Sequence, residues 1–347
     1  MKKMILLFED HGQNRDFAVH LPEHHGNDVI PAANGALGIE AEVEQFIQKT
    51  KRPRRGARFW SRMTGALSIL MLVVSARIAR SGELAASEGA KRYVRYGFTV
   101  QNITGQLVPE VELWACAPLR ETSVQRLSEL KASHPYAERT DGLGNHFLQF
   151  VFSNVPPFAV RIVTVEATVA MNAEPLSVAA ETGRWLQAGP LFEYDNEAFS
   201  RLAPEFPKDA AATTARAIYD WVRGYLQDVG YDGTDRGALY ALTQKKGDCT
   251  EYTTLFVALC RRAGIPARAM GGYVVSQNTI LDPASYHNWA EFDLDGRWHI
   301  ADPQAGLFNE KAEQYMATRV LGESDSLVGN YARFRCIGEG MKAAMNK

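Results

Sequence analysis

The chain has 347 residues, of which 46% are apolar and 22% are charged. This apolar content can fill hydrophobic cores, so the composition excludes a fully disordered or collagen-like chain. The 38 basic and 40 acidic residues nearly cancel, which excludes an overall attraction to nucleic acid. At about 150 residues per domain, the length predicts two domains.

Residues 49–80 have the composition of a leader. Seven lysines and arginines precede an apolar run over residues 63–76, and no acidic residue occurs between Glu44 and Glu83. The run is shorter than the about 20 residues that a membrane span needs. The pattern therefore predicts a signal peptide cleaved near Ala76, or an uncleaved membrane anchor. Either would make the rest of the chain exported, periplasmic or membrane-anchored facing the periplasm. A buried core helix with a solvated basic flank is the alternative.

Residues 1–48 precede this leader and are polar. A signal peptide has only a few residues before its basic region. We therefore expect residues 1–48 to be a disordered extension or an over-long start.

Residues 88–185 have the pattern of strands. Segments rich in aromatic and β-branched residues alternate with turn residues such as Asp141-Gly142 and Gly144-Asn145. We predict a small antiparallel β-sandwich with no chemistry of its own. Its predicted strands cover 93–100, 108–119, 146–152 and 159–170.

Residues 190–320 are predicted to form a second domain, which begins with a helix. Within 209–229, apolar residues recur every three or four positions, and Gly230 follows as a stop signal. Beyond this domain, residues 321–347 are predicted to add one strand near 331–337 and then to fray.

A cysteine lies at the predicted start of another helix. Asp248 is placed to cap that helix, and Glu251 is its capping-box partner three residues later. This puts Cys249 in the first turn, where free backbone N–H groups and the helix dipole favour a thiolate over a thiol. A thiolate is the nucleophilic form, so Cys249 is a candidate nucleophile.

A β-hairpin is predicted downstream, with Asp295-Gly296 as its two-residue turn. In that register Leu294 pairs with Arg297 and Trp289 falls opposite Asp302. His287 and Asp302 then share a face as diagonal neighbours, about 7–8 Å apart at the backbone. Asp302 would hold His287 in one tautomer while the other ring nitrogen faces the thiol. His299 falls on the opposite face and is predicted to be structural.

Several motifs follow one another over roughly residues 205–305. They are Gly247-Asp248-Cys249, Gly264-Ile265-Pro266-Ala267-Arg268, Gly272-Tyr273, His287-Asn288-Trp289-Ala290-Glu291, and Trp298 followed by Asp302-Pro303. In this order they resemble the transglutaminase-like superfamily. The resemblance implies an α+β fold with a papain-like cysteine core, preceded by a small antiparallel β-sandwich as in bacterial exported members. It further implies Cys249 as nucleophile, His287 as general acid and base, and Asp302 as the orienting residue.

The oxyanion hole is less well defined by the sequence. The Cys249 backbone N–H is one natural donor. Gln244, five residues upstream, is a candidate side-chain donor, and its alternative is a solvated loop residue.

The lead functional hypothesis is thiol-dependent hydrolysis of peptide or protein amide bonds, with substrates possible in the cell envelope. Amine transfer of the transglutaminase type and a non-catalytic scaffold are the alternatives. We expect no cofactor, no metal, no nucleic acid, and membrane contact only through the leader. In an exported protein Cys116 and Cys336 are available for one disulfide.

Overall fold

A computed structural model describes residues 5–11, 14–23, 26–32, 89–172, 183–208, 210–234, 236–322, 328–329 and 332–347. The chain divides into two compact units, Met1–Leu84 and Ala85–Lys347. The predicted leader, residues 49–80, lies outside the described residues. Within those residues, no helix is long and apolar enough to cross a membrane.

The first unit contains a three-stranded antiparallel sheet. Its strands are β1 (Ile5–His11), β2 (Asn14–Glu23) and β3 (Gly26–Ala32), joined in chain order. The sequence analysis expected a disordered extension here, and the structure differs. Short apolar stretches such as 17–19 and 29–30 are of the kind that forms strands.

The second unit contains the remaining described elements, sixteen strands, four α-helices and three 3-10 helices. The helices are α1 (Glu197–Leu202), α2 (Ala211–Tyr225), α3 (Gly237–Gln244) and α4 (Cys249–Arg262), with 3-10 turns at Arg184–Leu186, Pro283–Ser285 and Ala312–Gln314. The strands are β4 (Ala90–Asn102), β5 (Val108–Cys116), β6 (Gln125–Ala132), β7 (Ala137–Thr140), β8 (His146–Val155), β9 (Val160–Met171), β10 (Gln227–Asp228), β11 (Lys246–Gly247), β12 (Ala267–Val274), β13 (Thr279–Ile280), β14 (Tyr286–Leu294), β15 (Arg297–Asp302), β16 (Leu307–Phe308), β17 (Tyr315–Leu321), β18 (Phe334–Ile337) and β19 (Met341–Met345).

Two sheets form the predicted β-sandwich. One has the order β13-β4-β9-β6, with β19 also paired to β4, and the other has the order β18-β5-β8-β7. Alternate residues of β4, β5, β8 and β9 share one hydrophobic core. Strand β6 was not predicted, because the three-residue spacing of Leu127 and Leu130 fits a helix as well as a strand.

The C-terminal segment completes this sandwich. The sequence analysis expected one strand and then a frayed tail, and the second part of that expectation is wrong. Strand β18 pairs with β5, and β19 pairs with β4 from Met341↔Asn102 to Met345↔Phe98. Edge strands of this kind draw their stability from partners more than 200 residues away, which a local pattern does not encode.

The pairing of β18 with β5 also separates Cys116 from Cys336. Cys336 lies opposite Leu113, and Cys116 is three residues further along β5. Three residues of strand span about 10 Å, whereas a disulfide requires Cα atoms within about 7 Å. The considered pairing is therefore excluded, and all four cysteines are free.

The second layer of the unit is a helical cluster on a five-stranded sheet. The sheet has the order β16-β15-β14-β12-β17. Helix α4 packs against it through fully buried residues such as Leu255 and Phe256, and the Phe256 ring contacts Phe292 of β14. Burial of each such side chain contributes about 2 kcal/mol. The core thus fixes where α4 begins relative to β14, and confirms the predicted α+β fold.

Candidate active site

The first turn of α4 holds Cys249. Asp248 is the N-cap: its side chain accepts a hydrogen bond from the Thr250 N–H at 2.9 Å. The Glu251 carboxylate accepts in return from the Asp248 N–H at 3.0 Å. This is the capping box that the sequence predicts, and it is confirmed.

Gly247 is required just before this cap. A Cβ atom at position 247 would lie only 2.2 Å from the Cβ of Glu251. Any side chain there would displace Glu251, and the cap with it. The glycine therefore allows the chain to enter the helix with Cys249 at its first position.

The predicted hairpin presents the other two candidate residues. Strands β14 and β15 pair from Leu294↔Arg297 to Ala290↔Ala301, which is the predicted register. Asp295 and Gly296 both have positive φ, 54° and 81°, as a type I′ turn requires. The predicted register is therefore confirmed between residues 290–294 and residues 297–301.

His287 and Asp302 are hydrogen-bonded to each other. The His287 Nε2 atom lies 2.6 Å from the Asp302 Oδ2 atom. The histidine side chain is 18% exposed and the aspartate is 1% exposed, so the pair faces solvent only through the imidazole. The bond engages Nε2, which leaves Nδ1 as the ring nitrogen available to a thiol.

Cys249 is partly exposed, and its side chain is near enough to this imidazole to raise the pKa of His287. Burial by itself lowers the pKa of His287, but the hydrogen bonds to Asp302 and Cys249 and the attraction of their charges outweigh it. The pKa of His287 is raised to about 10. The raised pKa favours the imidazolium form of His287, which is the form that can pair with a thiolate.

A second contact aligns the helix with the strand. The Asn288 Nδ2 atom donates to the Thr250 Oγ1 atom at 3.0 Å, and both residues are buried. Asn288 follows His287 and Thr250 follows Cys249, so the bond joins the neighbours of the two reactive residues. The sequence analysis quoted Asn288 within a motif but gave it no role.

Two groups were predicted as donors to the oxyanion, the Cys249 N–H and the Gln244 side chain. The first hydrogen bond of α4 runs from the Tyr252 N–H to the Asp248 carbonyl, so the Cys249 N–H lies before the helical ladder. Gln244 is the exposed last residue of α3. Its role as an oxyanion donor stays a prediction.

Asp302 has a further partner that the sequence analysis missed. The hydroxyl of Tyr315 donates to Asp302 Oδ2 at 2.9 Å. Tyr315 is 1% exposed and lies on β17, so in the sequence it reads as an ordinary core residue. No motif signals the contact, because it joins separate strands.

His299 lies apart from this arrangement. It pairs with Phe292 across the hairpin, and its Nδ1 atom lies 3.0 Å from the Asn309 Oδ1 atom. No group of three or more potential metal ligands is found in the part of the chain that the structure describes.

Comparison with known proteins gives a family match in this region. Residues 200–303 match the model of the transglutaminase-like superfamily core. No curated protein matches the chain significantly.

Solved structures give a weaker likeness. A candidate cysteine protease from Cytophaga hutchinsonii is 17% identical, covers 73% of this chain and 92% of its own, and has a TM-score of 0.48. The periplasmic domain of TgpA from Pseudomonas aeruginosa, bound to ethylmercury, is 17% identical, covers 67% of this chain and 97% of its own, and has a TM-score of 0.29. The family match coincides with the helix and hairpin described above, and residues 200–303 are a domain of the transglutaminase-like superfamily.

Proposed function

We propose that this protein is a cysteine hydrolase that cleaves amide bonds of peptides or proteins through an acyl-thioester on Cys249. One observation carries the proposal: the His287 imidazole is hydrogen-bonded to a buried carboxylate at 2.6 Å, and the side chain of a cysteine at a helix start helps to raise its pKa. Nucleophilic acyl transfer needs a nucleophile, an acid and base beside it, and a group that orients that base. Cysteine, histidine and carboxylate can supply these three roles here.

In the first half-reaction the Cys249 thiolate attacks the amide carbonyl carbon. A C–S bond forms, and the carbonyl oxygen becomes an oxyanion in front of the Cys249 N–H. His287 then gives its Nδ1 proton to the departing nitrogen, and the C–N bond breaks. The products of this step are a free amine and an acyl-thioester.

In the second half-reaction His287, now neutral, takes a proton from water through Nδ1. The resulting hydroxide attacks the thioester carbonyl, and the C–S bond breaks. The thiolate leaves, and it re-forms the ion pair with the imidazolium. Asp302 keeps its hydrogen bond to Nε2 throughout, so the imidazole presents the same nitrogen in both steps.

Hydrolysis is proposed over amine transfer because water is always available as an acceptor. An amine acceptor requires a dedicated site to compete with water. We further propose export of the chain, from the basic flank and apolar run of residues 49–80, which would make cell-envelope peptides and proteins accessible.

The test uses the full chain and a peptide library in water enriched in ¹⁸O, with a fluorescent primary amine added. Mass spectrometry then separates two products: a carboxylate carrying one ¹⁸O atom from hydrolysis, and an amide of the fluorescent amine from transfer. We expect the ¹⁸O product in the unmodified protein and no product in Cys249→Ala.

Cys336→Ala is the matched control, since Cys336 is half-buried on β18 of the sandwich. It should retain full activity. Dominant amine incorporation would overturn hydrolysis in favour of transfer. Turnover that survives in Cys249→Ala would overturn the thiol mechanism.

A further inference from the structure

We propose that Tyr315 is a positioning residue for this reaction, and that its hydroxyl holds the Asp302 carboxylate in the orientation that serves His287. The inference deepens the proposed function and rests on it. It concerns a residue outside both the predicted triad and the matched family region, residues 200–303.

The carboxylate of Asp302 is held by three donors. Its Oδ2 atom takes the Tyr315 hydroxyl at 2.9 Å and faces His287 Nε2 at 2.6 Å. Its Oδ1 atom accepts from the Ala305 N–H at 2.9 Å. Without the tyrosine, the oxygen that orients His287 would have no second donor to fix its direction.

The surroundings of Tyr315 leave its hydroxyl little freedom. The residue is 1% exposed. Its ring packs against the indole of Trp289, with 5.1 Å between the ring centroids and an angle of 64° between the ring planes. Burial and the charge of Asp302 raise the pKa of the phenol, so the hydroxyl remains a donor over the working pH range.

Packing alone does not account for a tyrosine here. A phenylalanine would fill nearly the same volume beside Trp289. The hydroxyl adds only the bond to Asp302, and a buried carboxylate without enough donors is costly. The chemical reason for a tyrosine at this position is therefore the carboxylate.

The test compares Tyr315→Phe with Tyr96→Phe. Tyr96 is the matched control, because it is 4% exposed and its hydroxyl donates to the Cys116 carbonyl at 3.1 Å within the sandwich. The readout is the rate of Cys249 alkylation by iodoacetamide at pH 6, with the site confirmed by peptide mapping. We expect about a tenfold loss in Tyr315→Phe, from a lost hydrogen bond to a charged group, and less than twofold in Tyr96→Phe.

A double-mutant cycle separates positioning from mere structure. If Tyr315 acts through Asp302, Tyr315→Phe should slow alkylation in the unmodified background and have no further effect in Asp302→Ala. Equal loss in both backgrounds would overturn the inference. Thermal unfolding is measured for each variant to confirm that it is folded. If Asp302→Ala does not fold, Asp302→Asn takes its place in the cycle.

The two proposals fail in different ways. If His287→Ala leaves the alkylation rate unchanged, the proposed function fails, whatever Tyr315 does. If His287→Ala slows alkylation but folded Tyr315→Phe reacts as fast as the unmodified protein, only the role of Tyr315 is overturned.

Discussion

Replacing Asp302 with asparagine should remove the charge that keeps His287 protonated. The pKa of His287 is raised from 6.5 to about 10, which corresponds to about 5 kcal/mol of interaction favouring the imidazolium. Asp302 and Cys249 share this interaction. In Asp302→Asn the pKa should therefore fall towards the ordinary histidine value.

The same change should also reverse the tautomer. An asparagine amide that donates to Nε2 places the ring proton on Nδ1, which faces the thiol. A neutral imidazole protonated there cannot take a proton from Cys249 or from water. We therefore expect turnover to fall by about a thousandfold or more, although the shape of the site is kept.

The assay is histidine-ring NMR over pH 5 to 11, in which His287→Ala identifies the signal among the eight histidines. In the unmodified protein the His287 signal should stay that of the imidazolium through neutral pH and titrate near pH 10. In Asp302→Asn it should titrate several pH units lower. A His287 signal that titrates near 6.5 in the unmodified protein would refute the electrostatic reasoning.

Three further outcomes follow from the same geometry. Because folding raises the pKa of His287, its stabilising contribution should be complete below about pH 6.5 and lost as pH rises towards 10, and chemical denaturation of His287→Ala should lack this component. Asn288→Ala should lose the hydrogen bond to Thr250 and lower the free energy of unfolding by about 1–2 kcal/mol. It should also lower kcat more than it changes KM. An unchanged kcat would show that this hydrogen bond does not align the site. Gly296→Ala should cost about 1–2 kcal/mol in urea unfolding because φ is 81° there, whereas Gly142→Ala, with open space around it and no positive φ, should be nearly neutral.

The local parts of the site could be predicted from the sequence. The cap of α4 depends on residues within three positions of Asp248, and the hairpin register depends on the Asp295-Gly296 turn. Both depend on interactions between residues that are close in sequence. In the cap, a side chain accepts a hydrogen bond from a nearby N–H, and in the hairpin, the turn determines which residues of the two strands pair. Together they allowed the sequence to predict that Cys249 begins a helix and that His287 and Asp302 lie on the two strands of one hairpin.

The remaining contacts join elements that are distant in sequence. Tyr315 reaches Asp302 from another strand, and Asn288 meets Thr250 across 38 residues. Strand β13, in the segment just before His287, pairs with β4 of the sandwich at Thr279↔Val94. Such pairings are decided by the packing of the whole unit, and no spacing along the chain reveals them.

The sandwich therefore contacts the domain that carries Cys249, His287 and Asp302, whereas the sequence predicted two separate domains. Tyr273 of β12 and Met316 of β17, both from the five-stranded sheet, are buried in the sandwich core. The segment leading into His287 is therefore attached to the sandwich by the β13–β4 pairing and by Leu281, which is buried in the same core.

The most direct test of the central claim is the rate of Cys249 alkylation against pH in the full chain, with and without His287. Free cysteine has a pKa of about 8.5, so an ordinary thiol reacts slowly in acid. The thiolate–imidazolium pair predicts fast labelling at Cys249 that persists well below pH 8 and collapses in His287→Ala. Slow labelling that follows an ordinary thiol in both proteins would contradict it.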